Sequence, residues 1–133
     1  MRNLLLLLLF LPALSYGQSS PDDYAVVTPV QTQLDGYNTV DLELFHSAYA
    51  DSVRVYAYPD EFQGQGKEAM RERYGRMFEE LPDLQCRLVS RMVMGNRVLD
   101  HESVRWTKDE DPTEVIAIYT VEAGLITEVR FLR

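Results

Sequence analysis

From Leu84 to Leu132 the apolar residues recur at every second position, and only three short breaks interrupt the run. The breaks are Gly95-Asn96, Asp109-Glu110-Asp111-Pro112 and Ala123-Gly124, all composed largely of turn-forming residues. Alternation of this kind sends one face of a strand to a core and the other to solvent. Connections this short leave room only for antiparallel pairing between neighbours. The sequence therefore predicts four strands, over 84–94, 97–108, 113–122 and 125–132, arranged as a meander.

A sheet with one apolar face must be covered, and the preceding residues can supply the cover. Thr28-Pro29-Val30-Gln31 reads as a helix start: Thr28 as N-cap, Pro29 at the first helical position, and Gln31 completing a capping box. Val27, Val30, Leu34 and Tyr37 follow at helical spacing, and Asn38 is suited to close the helix in a left-handed conformation. Asp41 opens a second helix through Leu42, Leu44, Phe45, Ala48 and Tyr49. Val53, Val55 and Ala57 then alternate with Arg54, Tyr56 and Tyr58 as a strand, until Pro59 and a Gly/Gln loop stop it. Gly66-Lys67 begins a third helix, ended by Pro82, with Met70, Tyr74, Met77, Phe78 and Leu81 on one face. The predicted class is α+β: three N-terminal helices packed on one face of a curved antiparallel sheet, with neither repeat nor second domain.

The first residues have a different character. Arg2, the apolar run Leu4 to Leu11, and the small residues Ser15 and Gly17 form the three parts of a secretory signal over residues 1–17. The apolar run is too short to span a bilayer, so the expectation is a cleaved leader and an exported protein, periplasmic or secreted. Residues 18–26 read as a flexible lead-in and 27–133 as the folded domain.

Charge and cysteine content narrow the partners. The net charge is −8, with Lys67 and Lys108 as the only lysines, so no basic face is expected for nucleic acid or an anionic membrane. Cys86 is the sole cysteine and lies in an apolar strand, where a buried and inert thiol is expected. His46 and His101 stand far apart without HxxxH or CxxC spacing, so no metal site is expected, and without a phosphate loop or a dinucleotide fingerprint no cofactor is expected.

The order of elements, and the residues carrying it, resemble the nuclear transport factor 2-like superfamily, specifically its SnoaL-like and ketosteroid-isomerase-like branch. Those residues are Tyr37-Asn38 with Asp41-Leu42, Tyr49-Ala50-Asp51 leading into Val53 and Val55, Gly66-Lys67-Glu68-Ala69-Met70-Arg71, and Gly124-Leu125-Ile126. The resemblance covers about residues 27–133. It implies a cone-shaped half-barrel with an apolar pocket for a small hydrophobic molecule, and a homodimer through the convex sheet face. Members include isomerases, polyketide cyclases and dehydratases as well as non-catalytic modules, so the fold leaves the function open. Carried over position by position, the isomerase's base falls on Ala57, its oxyanion tyrosine on Gln33 and its second oxyanion acid on Ala117. Steroid isomerisation by that mechanism lacks its groups here.

What remains is the stretch Val98-Leu99-Asp100-His101-Glu102-Ser103. In a strand, Asp100, Glu102 and Trp106 share one face, while His101 points the other way. The resemblance sends the Asp100 and Glu102 face into the cone; a slip of one residue would send His101 inward instead. Two carboxylates in an apolar pocket would serve as a general acid or base, or else form structural pairs with Arg87 or Arg91. His46 on the second helix is a further candidate acid or base. The resemblance places Tyr119, Val129 and Phe131 on the pocket wall together with Ala117, and Tyr49, Tyr56, Tyr74 and Trp106 are the remaining aromatic candidates. Three readings follow: a binding protein, an acid/base isomerase, cyclase or dehydratase, and an association module built on Ile116 and Ile118.

Overall fold

The sheet has six strands, in the spatial order β2 (Glu61–Gln65), β1 (Tyr49–Ala57), β6 (Leu125–Leu132), β5 (Thr113–Glu122), β4 (Arg97–Arg105) and β3 (Gln85–Met94); the first and third helices lie against one of its faces, and the second packs on those two helices. In this computed structural model, residues 21–133 are described. The expected leader, 1–17, and residues 18–20 of the lead-in lie outside the described residues. The elements are α1 (Pro21–Thr39), α2 (Leu42–Ser47), β1 (Tyr49–Ala57), β2 (Glu61–Gln65), α3 (Lys67–Glu80), β3 (Gln85–Met94), β4 (Arg97–Arg105), β5 (Thr113–Glu122) and β6 (Leu125–Leu132).

The meander β3 to β6 forms as its alternation predicts, with each neighbouring pair antiparallel. The sheet as a whole is mixed rather than antiparallel, because β1 lies parallel to β6. No hairpin joins those two strands, so nothing in the local sequence sets their relative direction. Strand β2 replaces the expected Gly/Gln loop and pairs antiparallel with β1. It buries neither face, so it carries no alternation by which to recognise it.

Helix α1 starts at Pro21, seven residues before the predicted cap. Pro21 followed by Asp22 and Asp23 is itself a helix start, with the proline's missing N–H harmless in the first turn and both acids at the positive end of the helix dipole. Residues 21–26 are therefore helical rather than a flexible lead-in. Thr28 does not cap; its hydroxyl donates to the Tyr24 carbonyl at 2.7 Å, and Pro29 sits within the helix. Nor does Asn38 close α1. The left-handed residue is Val40, with φ 55°. The Asn38 amide instead clamps β3, donating to the Cys86 carbonyl at 2.8 Å and accepting from the Cys86 N–H at 2.7 Å.

Asp41 caps α2 as predicted, its carboxylate accepting from the Leu44 N–H at 3.0 Å. The helix ends at Ser47, and Tyr49 already belongs to β1. The two helices touch backbone to backbone at Gly36, where a Cβ would lie 2.3 Å from the Phe45 nitrogen. That approach pushes Phe45 into the core, where its ring meets Tyr74 at 4.4 Å, Tyr49 at 5.1 Å and Phe78 at 5.7 Å between centroids. Aromatic pairs of this geometry add about 0.5–1.5 kcal/mol each to the area they bury. Helix α3 follows its predicted bounds and buries Met70 and Phe78.

Candidate active site

Between the helices and the inner face of the sheet lies a cavity of about 270 Å³. Strand β4 contributes its inward residues, with Val98, Asp100, Glu102 and Val104 all buried. The two carboxylates nevertheless have different neighbours. Asp100 pairs across the ladder with Arg91, whereas Glu102 faces Leu88 on one side and Val115 on the other. A bulge in β3 between Leu88 and Ser90 causes this difference. Without the extra residue, Leu88 and Arg91 would point to opposite faces; with it, both point inward.

Asp100 is consequently neutralised. Arg91 donates to both its oxygens, Nε to Oδ1 at 2.7 Å and Nη2 to Oδ2 at 2.8 Å, and Nη1 reaches Gln31 Oε1 at 2.9 Å. Asp100 does not line the cavity. Its expected alternative role, a structural ion pair with Arg91, is the one the geometry fulfils.

Glu102 does line the cavity, is 5% exposed, and has no arginine, lysine or histidine as an ion-pair partner among the described residues. Its contacts are neutral donors. Tyr119 Oη donates to Oε1 at 3.3 Å, Gln33 Nε2 donates to Tyr119 Oη at 3.1 Å, and Tyr49 Oη donates to Gln33 Oε1 at 3.3 Å. The result is a directed line of donors from β1 through α1 and β5 to one carboxylate. Burial, reinforced by the negative charge of Asp100, pushes the Glu102 carboxyl up from its ordinary 4.5 to about 7, although Tyr119, Cys86 and Arg91 pull against it. Burial likewise raises the phenols of Tyr49, Tyr74 and Tyr119, which stay protonated as donors at neutral pH. A carboxyl that titrates near neutrality beside protonated phenols can both take and return a proton.

The other expected acid/base residues stand elsewhere. His46 is buried, but in the seam between α2 and α3, where Nε2 bonds the Lys67 carbonyl at 2.9 Å and Nδ1 faces Arg71 Nη1 at 3.4 Å. It ties the helices together and lines no part of the cavity. His101 points to the opposite face of β4 and pairs with Glu114. Of the expected wall, Tyr49, Tyr74, Trp106, Tyr119 and Phe131 line the cavity. Tyr56 does not; it packs beneath the Arg130 guanidinium at 4.3 Å and beside Phe62. Val129 and Ala117 are buried in the core and do not line the cavity. Gln33, Tyr37, Cys86, Arg73 and Arg133 also line it and were not expected there, with Leu34, Phe45, Met77, Val104 and Val115 supplying the remaining apolar wall. Gln33 had a signal, since the resemblance sets it at the oxyanion tyrosine's position; the two arginines had none. Cys86 is buried as expected, and burial raises its thiol far above the usual range.

Among the described residues, no three His, Cys, Asp or Glu side chains gather as a metal site would require. No helix there is long and apolar enough to cross a membrane.

The sequence matches the SnoaL-like domain over residues 30–129. The chain belongs to the SnoaL-like family. Solved structures repeat the fold of this SnoaL-like protein at low sequence identity. A cystatin-fold protein from Novosphingobium aromaticivorans is 23% identical, with a TM-score of 0.75 over 81% of this chain and 97% of its own. A protein from Jannaschia provisionally named a SnoaL-like polyketide cyclase is 16% identical, with a TM-score of 0.69 over 86% of this chain and 89% of its own. One from Kribbella flavida provisionally named a ketosteroid isomerase is 18% identical, with a TM-score of 0.68 over 80% and 76%. At such identities the likeness is one of fold. No curated protein matches the sequence.

Proposed function

We propose that this SnoaL-like protein binds a small, mostly apolar molecule in the cavity and that Glu102 transfers a proton to and from it, in an isomerisation, cyclisation or dehydration. The observation that carries the reading is Glu102 itself: a buried carboxyl on the cavity wall without a cationic partner among the described residues. A purely structural acid would be paired, as Asp100 is. The cavity volume, near the lower end of the usual range for ligand sites of about 300–1,000 Å³, favours a small ligand. The open interior counts against a pure association module, whose cone side chains would fill.

The steroid-isomerase mechanism is not part of the proposal. Ala57 stands where its base would be and lines no part of the cavity, and Gln33 and Ala117 replace its oxyanion donors. Export and a homodimer through the convex face belong to the same proposal; support for the second is that Met92 and Leu132 are exposed there, with Ile116 and Ile118 half-buried beside them.

The test is hydrogen–deuterium exchange. Purified protein is incubated in deuterated buffer with a panel of small cyclic and aryl ketones, and exchange at the carbon next to the carbonyl is followed by NMR. The expected result is catalysed exchange whose rate rises through pH 7 and falls by about 100-fold or more in Glu102→Gln, the usual scale of a general acid/base. Exchange unchanged in Glu102→Gln would remove Glu102 from the chemistry. Binding without exchange throughout the panel would favour a binding protein over an enzyme.

A further inference from the structure

Two guanidiniums stand on the cavity wall, those of Arg73 on α3 and Arg133 following β6. Both also line an adjoining hollow of about 210 Å³ that opens beside Tyr58 and Leu132, so they mark the passage from one space to the other. Both side chains belong to exposed residues. Five other arginines, Arg54, Arg71, Arg76, Arg91 and Arg130, each hold a carboxylate. Among the described residues, Arg73 and Arg133 hold none and donate to no protein acceptor. Arg87, Arg97 and Arg105 also lack a carboxylate, but they stand away from this cavity, and Arg105 donates to Gln85.

In a chain with 21 acidic residues against 13 basic ones, carboxylates are plentiful. Two uncommitted guanidiniums at one cavity are therefore an available anion site, not a shortage of partners. Arg133 is also held in place: its guanidinium carbon lies 5.6 Å from the Trp106 ring centroid and 5.8 Å from that of Phe131. Cation–π contacts use the face of the ion and leave its N–H edges free. Among the described residues the rest of the cavity lining holds no other cation, and its one acidic side chain, Glu102, offers an anion no attraction. An anionic group is therefore drawn to the arginines.

We propose that the ligand is a small monocarboxylic acid, its apolar body inside among Tyr37, Phe45 and Tyr74 and its carboxylate docked on Arg73 and Arg133. The guanidinium fork matches a carboxylate in two parallel hydrogen bonds, which gives the site orientation as well as charge. The acid then enters apolar end first and presents to Glu102 the part of the molecule farthest from its carboxylate. This inference rests on the reading that the cavity takes a ligand, and it specifies which kind.

Trp106, the only tryptophan and itself a lining residue, reports occupancy by fluorescence. Two probes of equal shape are titrated into the protein, 4-phenylbutanoate and the uncharged 4-phenylbutanamide, with 3-phenylpropyl phosphate as a third. The expected result is a preference of about ten-fold for the acid over the amide, the scale of one charge-assisted hydrogen bond in a partly wet site. The preference should shrink with added salt and vanish in the double variant Arg73→Gln/Arg133→Gln, in which acid and amide should bind alike. Equal binding of acid and amide, or a preference that survives in the double variant, overturns the inference and leaves the cavity a ligand site. A phosphate bound more tightly than the acid overturns the assignment to carboxylates. Binding of none of the three defeats the cavity reading itself.

Discussion

Replacing Glu102 by glutamine should make the protein more stable, and by an amount that depends on pH in a calculable way. The carboxyl titrates at about 7 in the folded protein against an ordinary 4.5. The protonated form is thus the one the fold favours. Its stabilising contribution is complete below pH 4.5, declines as pH rises toward 7, and is gone above it, where folded and unfolded chains are both ionised. The gap corresponds to about 3 kcal/mol in total, of which about 2–3 kcal/mol is lost between pH 5 and pH 8. Glutamine has the shape of the protonated acid and can still accept from Tyr119, but it has no proton to lose. Urea unfolding of both proteins at pH 5, 6, 7 and 8 gives the difference directly. Contributions from sites distant from residue 102 are common to the two proteins and cancel in the difference. The variant should match the native protein within about 1 kcal/mol at pH 5 and exceed it by about 3 kcal/mol at pH 8. A difference that stays flat across this range would mean that Glu102 is already ionised and solvated at pH 5, and the acid/base proposal would lose its foundation.

Two further substitutions test the surroundings. Asp100→Asn leaves the Arg91 guanidinium facing a neutral partner in a buried pair, and should cost about 3–5 kcal/mol of unfolding free energy at pH 7, measured in urea. Gly36→Ala places a methyl group 2.3 Å from the Phe45 nitrogen and 2.7 Å from its Cα, where only backbone could yield. The helices must separate, and the near-ultraviolet dichroism of the Phe45 cluster should weaken along with a loss of about 3 kcal/mol or more, the scale of other severe core overpacking.

Much of this molecule is legible because burial is periodic. Strands β3 to β6 each bury one face, so their alternation gives their bounds to within three residues, and Asp100 and Glu102 fall inward with the same phase. Strand β2 buries neither face and is silent for that reason. In α1 two valid helix starts compete, Pro21-Asp22-Asp23 and Thr28-Pro29, and local rules cannot rank them. The candidate site is half legible. Alternation could place both carboxylates but could not tell which of them would be neutralised, because that depends on a bulge beside Val89 that brings Arg91 opposite Asp100. His46 looked available because helical spacing reveals which face is buried, but not that its nitrogens are held by Lys67 and Arg71. The arginines at the cavity carry no pattern at all, since they meet only once α3 and β6 are brought together in three dimensions.

The parallel pairing of β1 with β6 has a consequence for how the protein is made. In chain order β6 is the last of the strands, yet in space it lies inside the sheet, between β1 and β5. Until it emerges from the ribosome, β1 with its β2 hairpin and the β3–β5 ladder are two fragments, each with an open edge where β6 belongs. Neither fragment can complete its hydrogen bonds, and each offers a template for pairing with another chain. Closure must bring together segments about 75 residues apart, and it comes late. A nascent chain stalled just short of Leu125 would therefore resemble a pair of sticky half-sheets more than a nearly finished domain, and holding those edges apart until the final strand arrives is the service it would need from a chaperone.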